Sequence, residues 1–200
     1  MMFKNHLMII LCMMYISLVL KADQIWVQRY NGTGNGNDNL LAMKIDNLGN
    51  VYVTGSSGSS QNDIVTIKYN SNGVQQWLQR YSSYDDAEGN SIALDISGNI
   101  YVAGGVYGTF STTGILIKYN NSGVQQWVMS FEHASERALV IDSDGNVIVA
   151  GEVDSTGNRE ICLTVKYNSS GTQIWAKTYQ GPGTYFDFLN LNINLIFINF

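Results

Sequence analysis

The chain has 200 residues, 45% of them hydrophobic, with twenty glycines against one proline. That composition excludes global disorder and fits one domain, or part of a larger one, with many tight turns. Its formal charge is −5, from 11 basic and 16 acidic residues. An acidic surface without a basic cluster argues against nucleic acid and anionic membrane as partners.

The chain opens with Lys4 and His6 ahead of an apolar run from Leu7 to Leu20, then Lys21-Ala22-Asp23. A basic start, a short apolar stretch and a small residue at its exit are the marks of a secretory signal peptide over residues 1–22. The run is shorter than the roughly 20 apolar residues of a spanning helix. Cys12 lies behind Leu11, where a lipid-anchor signal wants a small residue. The expectation is a secreted or cell-surface protein that is not embedded in the membrane after cleavage. Removing Lys4 and Lys21 takes the charge to −7 (9 − 16). Cys162 is then the one remaining cysteine, so no intramolecular disulfide can form.

Residues 23–183 carry a repeat. Trp26-Val-Gln-Arg-Tyr30 comes first and reads as a lone strand, because no strand signal precedes it. Asn31 to Asp38 is glycine-rich but lacks the ending of a phosphate loop, so it reads as a connection. Three units of about fifty residues follow, approximately 38–81, 87–131 and 135–179. Each holds an Asp-x-x-Gly-Asn motif: Asp46, Gly49 and Asn50; Asp95, Gly98 and Asn99; Asp142, Gly145 and Asn146. Each then holds a block ending in tryptophan: TIKYNSNGVQQW to Trp77, LIKYNNSGVQQW to Trp127 and TVKYNSSGTQIW to Trp175.

Each unit parses into four strands. The first runs into the Asp, and Asp-x-x-Gly-Asn makes a hairpin because Asp binds its own backbone and Gly accepts positive φ. The second is NVYVTG, NIYVAG or NVIVAG; the third ends at Asn-x-x-Gly, another hairpin; the fourth carries the Trp. Four antiparallel strands in 40–50 residues describe one β-propeller blade. The predicted class is therefore all-β, with about three blades in an incomplete propeller, since closed rings have four to eight. A Trp between blades removes about 150–250 Å² from water, and Trp127→Ala is expected to cost about 3–5 kcal/mol if it lies there. The strand at 26–30 would complete a blade whose first three strands come from elsewhere. The tail 184–200 does not supply them: it reads FDFLNLNINLIFINF from Phe186, without the Asp turn.

Asp-x-x-Gly-Asn-Val-Tyr-Val-Thr-Gly together with Ile-Lys-Tyr-Asn-x-x-Gly-x-x-x-Trp resembles the SBBP β-propeller repeat of secreted bacterial proteins. The resemblance covers roughly Trp26 to Gly183. It implies an exported propeller, often within a larger protein, and brings no general catalytic residue set. The chain departs from it at Ile148, where the other units have Tyr52 and Tyr101, and at Thr172 and Ile174.

Single residues add little chemistry. Asp142, Asp144 and Asn146 resemble the opening of a calcium loop, but the twelfth position is Val153 rather than Glu; a plain turn is the preferred reading. Asp85 and Asp86 form an acidic loop that could take a cation, with a solvated loop preferred. His133 alone cannot define a triad, and no Gly-x-Ser-x-Gly elbow occurs. Lys68, Lys118 and Lys166 recur in register, which suggests a structural ion pair with a neighbouring strand. Asn31, Asn120 and Asn168 fit Asn-x-Ser/Thr in turns where that pattern arises by chance. Cys162 reads as a small apolar core residue. No cofactor is expected, calcium being the weak exception.

The leading expectation is a non-catalytic, exported module that binds protein or glycan, or acts as a scaffold. Its ring would be closed by further blades or another chain. Two alternatives stand beside it: a truncated piece of a larger propeller without independent function, and a propeller hydrolase or lyase with carboxylates near its mouth.

Overall fold

The computed structural model describes residues 25–32, 36–109, 111–132, 134–155 and 159–180. The expected signal segment 1–22, His133 and the tail 184–200 lie outside the described residues. Twelve strands form three four-stranded antiparallel sheets. Blade 1 holds β1 (Asn37–Ile45), β2 (Val51–Gly58), β3 (Asn62–Tyr69) and β4 (Gln75–Tyr81). Blade 2 holds β5 (Asp86–Leu94), β6 (Ile100–Tyr107), β7 (Thr112–Tyr119) and β8 (Gln125–Glu132). Blade 3 holds β9 (Ala134–Ile141), β10 (Val147–Ser155), β11 (Arg159–Tyr167) and β12 (Gln173–Tyr179). Within each blade the strands lie in chain order, as sequential hairpins require. The described residues form an all-β run of three propeller blades, fewer than the four of the smallest closed ring.

The hairpins hold the register. Asp46 N–H donates to Asn50 O at 3.0 Å, and Asp95 and Asp142 do the same with Asn99 and Asn146. Gly49, Gly98 and Gly145 take φ of 78°, 77° and 78°, which a side chain would disfavour. Each first strand bulges by one residue, at Leu41, Asn90 and within Glu136–Ala138. Opposite the bulge stand Gly55, Gly104 and Gly151, where a Cβ would collide with the facing backbone carbonyl.

Blades stack through their sheet faces, because each sheet is apolar on both sides. Residues alternate along a strand, so Ile100, Val102, Ile115, Ile117 and Tyr119 of blade 2 face blade 1. Tyr101, Ala103 and Leu116 of the same strands face blade 3. All eight are at most 1% exposed, which makes blade 2 the core of the described array. β1, β5 and β9 lie next to one another, so the first strands line the inner side and the Trp-bearing fourth strands the outer.

The segment 26–30 departs from expectation. It is not assigned as a strand, because no described strand lies beside it to pair with its backbone. Its side chains nevertheless take the place of a fourth strand: Trp26 and Tyr30 pack on Val51, Val65, Ile67 and Tyr69 of blade 1.

Candidate functional site

The polar groups of the blades gather at their two ends. At one end lie the β1–β2 and β3–β4 turns and their counterparts. Asp46 Oδ1 accepts from Leu48 N–H and Asn50 N–H at 2.9 Å, while Oδ2 accepts from Asn50 Nδ2 at 2.8 Å and Tyr52 OH at 3.1 Å. Asp95 repeats all four bonds with Ser97, Asn99 and Tyr101. Burial raises the Asp46 carboxyl, but these donors outweigh it and hold the group below its ordinary value. Asn70, Asn120 and Asn168 do the same work in the other hairpin, each Oδ1 taking two backbone N–H groups.

Asp142 differs in one partner. Ile148 has no hydroxyl to offer, and Lys166 Nζ stands 2.7 Å from Oδ2 instead. Asp144 N–H and Asn146 N–H occupy Oδ1 at 3.0 and 2.8 Å. Burial pushes this carboxyl up, but Lys166 and the turn donors prevail and lower it to about 2. Both oxygens are thus engaged by donors, and an ammonium sits where a cation would approach. The geometry is that of a hairpin turn. Asp144 contributes its backbone N–H to it, not its carboxylate.

Junctions between blades use the same residues. Trp77 donates Nε1–H to Asn121 O of blade 2 at 3.1 Å and packs on Tyr119, ring centres 6.2 Å apart. A Cβ on Gly123, whose φ is 80°, would lie 2.8 Å from the Trp77 ring. Trp127 packs on the blade 3 cluster and lies 5.9 Å from Tyr101. These tryptophans are half-buried rather than buried, since the outermost strand offers only one face to a seam. Trp175 holds the equivalent place on β12, with no described blade beyond it. The recurring lysines also reach across seams, but not as ion pairs. Lys68 donates to Asn121 of blade 2, and Lys118 to Ser169 O of blade 3 at 2.7 Å. Each ammonium lies 5.1 Å above a tyrosine ring, Tyr52 or Tyr101. Lys166 alone forms an ion pair, within its own blade.

The opposite end carries the β2–β3 hairpins and the links between blades, and here the units differ. Residues 81–86 read Tyr-Ser-Ser-Tyr-Asp-Asp, with Tyr84 fully out in solvent at 95% exposed. Gln61 Nε2 donates to Tyr84 O, and Asn62 N–H donates to Asp86 Oδ1 at 2.8 Å. Asp86 is thereby tied to the neighbouring hairpin, while the Asp85 carboxylate faces Gly108 of the next one. No group of three or more His, Cys, Asp or Glu side chains able to hold a metal occurs among the described residues.

One buried polar residue escaped the sequence reading. Glu136 on β9 is 2% exposed, its Oε1 has no hydrogen-bond partner, and burial pushes its carboxyl up to about 7. Space for it comes from Gly114 on β7, whose Cβ would lie 3.0 Å from Glu136 Cγ. At the preceding seam the sizes are reversed: Ile64 stands where Gly114 does, and Gly89 where Glu136 does. A Cβ on Gly89 would lie 3.0 Å from Ile64 Cγ2 and overlap Thr54 Oγ1. The sequence signal was a glycine interrupting TTGILIKY where the sister strand has Ile64.

A family description, SBBP beta-propeller repeat, matches residues 76–104. That span runs from β4 through the β5–β6 hairpin and so crosses the junction between two blades. Residues 76–104 thus carry an SBBP-type β-propeller repeat. No curated protein matches the chain. In SBBP terms the Asp turn, the β6-type strand and the seam Trp are scaffold, because the turn bonds recur in every unit and Trp77 and Trp127 both pack into a seam. Differences between units collect at the other end, at Glu136 and at the Lys166–Asp142 pair.

Proposed function

We propose that this SBBP-type chain is an exported, non-catalytic module that binds a protein or glycan through the loop end of its blades. The supporting observation is the contrast between the two ends. Turn-end polar groups are consumed by the hairpins and seams, leaving little to recognise a ligand. Loop-end residues differ between blades and present Tyr84, Asp85 and the 58–62 hairpin outward. Exposed aromatics flanked by amides and carboxylates suit polar, flat ligands such as sugars or peptide loops. A glycan array, and pull-down with labelled extracellular proteins, would test it. Binding should fall at least about tenfold in Tyr84→Ala, worth about 1.4 kcal/mol, and stay unchanged in Ser71→Ala at the turn end. The reverse pattern would overturn the assignment of the face.

Export is part of the proposal and is tested by finding the chain outside the cytoplasm with residues 1–22 removed. Calcium is proposed to have no structural role. Melting with and without millimolar calcium should then differ by less than about 1 °C, since binding to the native state alone would raise the midpoint. A second reading, one portion of a larger propeller, is favoured by blade 1, whose outward cluster is covered from outside its own sheet by Trp26 and Tyr30 alone among the described residues.

A further inference from the structure

Blade 2 offers blade 3 a row of cross-strand neighbours: Glu88, Gly105, Gly114 and Phe131. Residues directly opposite in a sheet share a face, and Phe131 packs on the blade 3 cluster, so the row faces that seam. Its two adjacent glycines leave a trough. Tyr107 lies over Gly105, whose Cβ would come within 3.1 Å of the ring, and Glu136 of blade 3 lies over Gly114. The corresponding row of blade 1 reads Asn39, Ser56, Ile64 and Tyr81. There Ile64 fills the middle, and the row holds no carboxyl group.

Among the described residues no cation pairs with Glu136. From blade 2, β5 brings Glu88 and the neutral Asn90, β6 brings Tyr107, with Tyr101 bonded to Asp95 at the turn end, and β7 brings Lys118. The Lys118 ammonium is engaged at the turn end, on Ser169 O at 2.7 Å. Within blade 3, Arg137 reaches Glu152 of β10 at 3.1 Å. β11 contributes Tyr167, whose hydroxyl has no hydrogen-bond partner and is pushed up by burial first and by the Glu136 charge second. An ionised carboxylate without a partner is costly in such a volume. Ties across the seam between blades 1 and 2 include Lys68 and Trp77 to Asn121 and Asn62 N–H to Asp86. Between blades 2 and 3 they run through Lys118 and through Asn90 Nδ2, which donates to Glu136 O at 3.1 Å.

We infer that the seam between blades 2 and 3 is a pH-gated joint: protonated Glu136 seats in the glycine trough and keeps the blades packed, and its ionisation draws in water and opens the seam. The seam between blades 1 and 2, with Ile64 in that place, stays shut. Opening uncovers the apolar faces of Tyr101, Ala103 and Leu116 on one side and Leu139, Val149 and Val165 on the other. The joint works whatever the loop end binds. In the open state the carboxyl returns to its ordinary 4.5, against about 7 when packed. Opening is therefore suppressed below about 4.5, rises across the interval and levels off above about 7. Those two values make the opening constant about 70-fold larger at pH 8 than at pH 5.

The two faces of β6 provide the reporters. Val102 faces blade 1 and Ala103 faces blade 3, and both are fully buried. Val102→Cys and Ala103→Cys are made separately in the full chain carrying Cys12→Ala and Cys162→Ala, then labelled with dithiodipyridine at pH 5 to 8 without denaturant. Each rate is divided by that of the same thiol in urea, which removes the thiol's own pH dependence. Labelling at Ala103→Cys should rise about 70-fold over that range, and at Val102→Cys by less than about threefold. Adding Glu136→Gln should abolish the rise. An equal rise on both faces means whole-chain unfolding and overturns the joint. No rise at Ala103→Cys also overturns it, since the side chain then ionises without parting the blades. A rise that survives Glu136→Gln would assign the effect to another group and overturn it as well. Leu116→Cys and Ile117→Cys on β7, facing blades 3 and 1, give the same comparison where a β6 variant does not fold.

Discussion

Replacing Glu136 with Gln changes charge without changing shape, and the structure fixes how stability should respond to pH. The carboxyl lies in the seam between blades 2 and 3, 2% exposed, beside Gly114 and without a partner for Oε1. Asn90 Nδ2 donates to the backbone carbonyl of Glu136 at 3.1 Å, not to its carboxylate. Burial therefore raises the group from 4.5 to about 7, and the folded state prefers the proton. A folded value above the unfolded one means this contribution is fully present below about 4.5 and is lost as pH rises to about 7. The difference corresponds to about 3 kcal/mol, a large share of the stability of a domain this size. Gln resembles the protonated acid, so Glu136→Gln should leave urea unfolding at pH 4.5 within about 0.5 kcal/mol of the parent. At pH 8 the variant should be more stable by about 2–3 kcal/mol. Tryptophan fluorescence reports the transition, since Trp127 borders the same seam. Equal stabilities at pH 8, or a weaker variant there, would refute an unpaired carboxyl in that seam.

Trp127→Ala should cost about 2–3 kcal/mol by urea unfolding, less than for a fully buried Trp because one side remains in solvent. Trp175→Ala, on a strand with no described blade beyond it, should cost less than about 1 kcal/mol; equal losses would contradict the seam assignment. Gly123→Ala meets both positive φ and the Trp77 ring, whereas Gly145→Ala has positive φ but nothing within 4 Å of its Cβ. Thermal melting should show the second near about 1 kcal/mol and the first at least about twice that. Asp142 is held near 2 against an ordinary 3.8, so its contribution is present above about 4 and fades as pH falls towards 2. Asp142→Asn should accordingly lower the melting midpoint at pH 6 and have a much smaller effect at pH 2.5.

The hairpins were legible because their chemistry is local. Asp46 and Asn50, or Asn70 and Val74, sit four residues apart and meet whatever lies elsewhere in the chain. Strand order followed from short connections, and the Trp from its place on the last strand of each unit. The lysines were only half legible: recurrence showed a structural task, but the recipients at Asn121 and Ser169 belong to a blade about fifty residues onward. Trp26–Tyr30 was legible as the likeness of a fourth strand, while its lack of pairing is a property of what lies beside it in space. Asp144 enters the expected turn through its backbone N–H, which donates to Asp142 Oδ1.

The repeating sequence by itself determined the blade, because a fifty-residue unit contains every partner that its own four strands and two turns require. Which residues fill the seams was decided only by the tertiary structure. Ile64 against Gly89 and Gly114 against Glu136 are contacts between different sheets, each member free to vary as long as the pair fills one volume. No period or local spacing encodes such a sum. For the same reason the sequence shows Trp26 as the likeness of an outer-strand Trp, and only the packed sheets show that it lies against Tyr69 with its Nε1–H on Ser71 O.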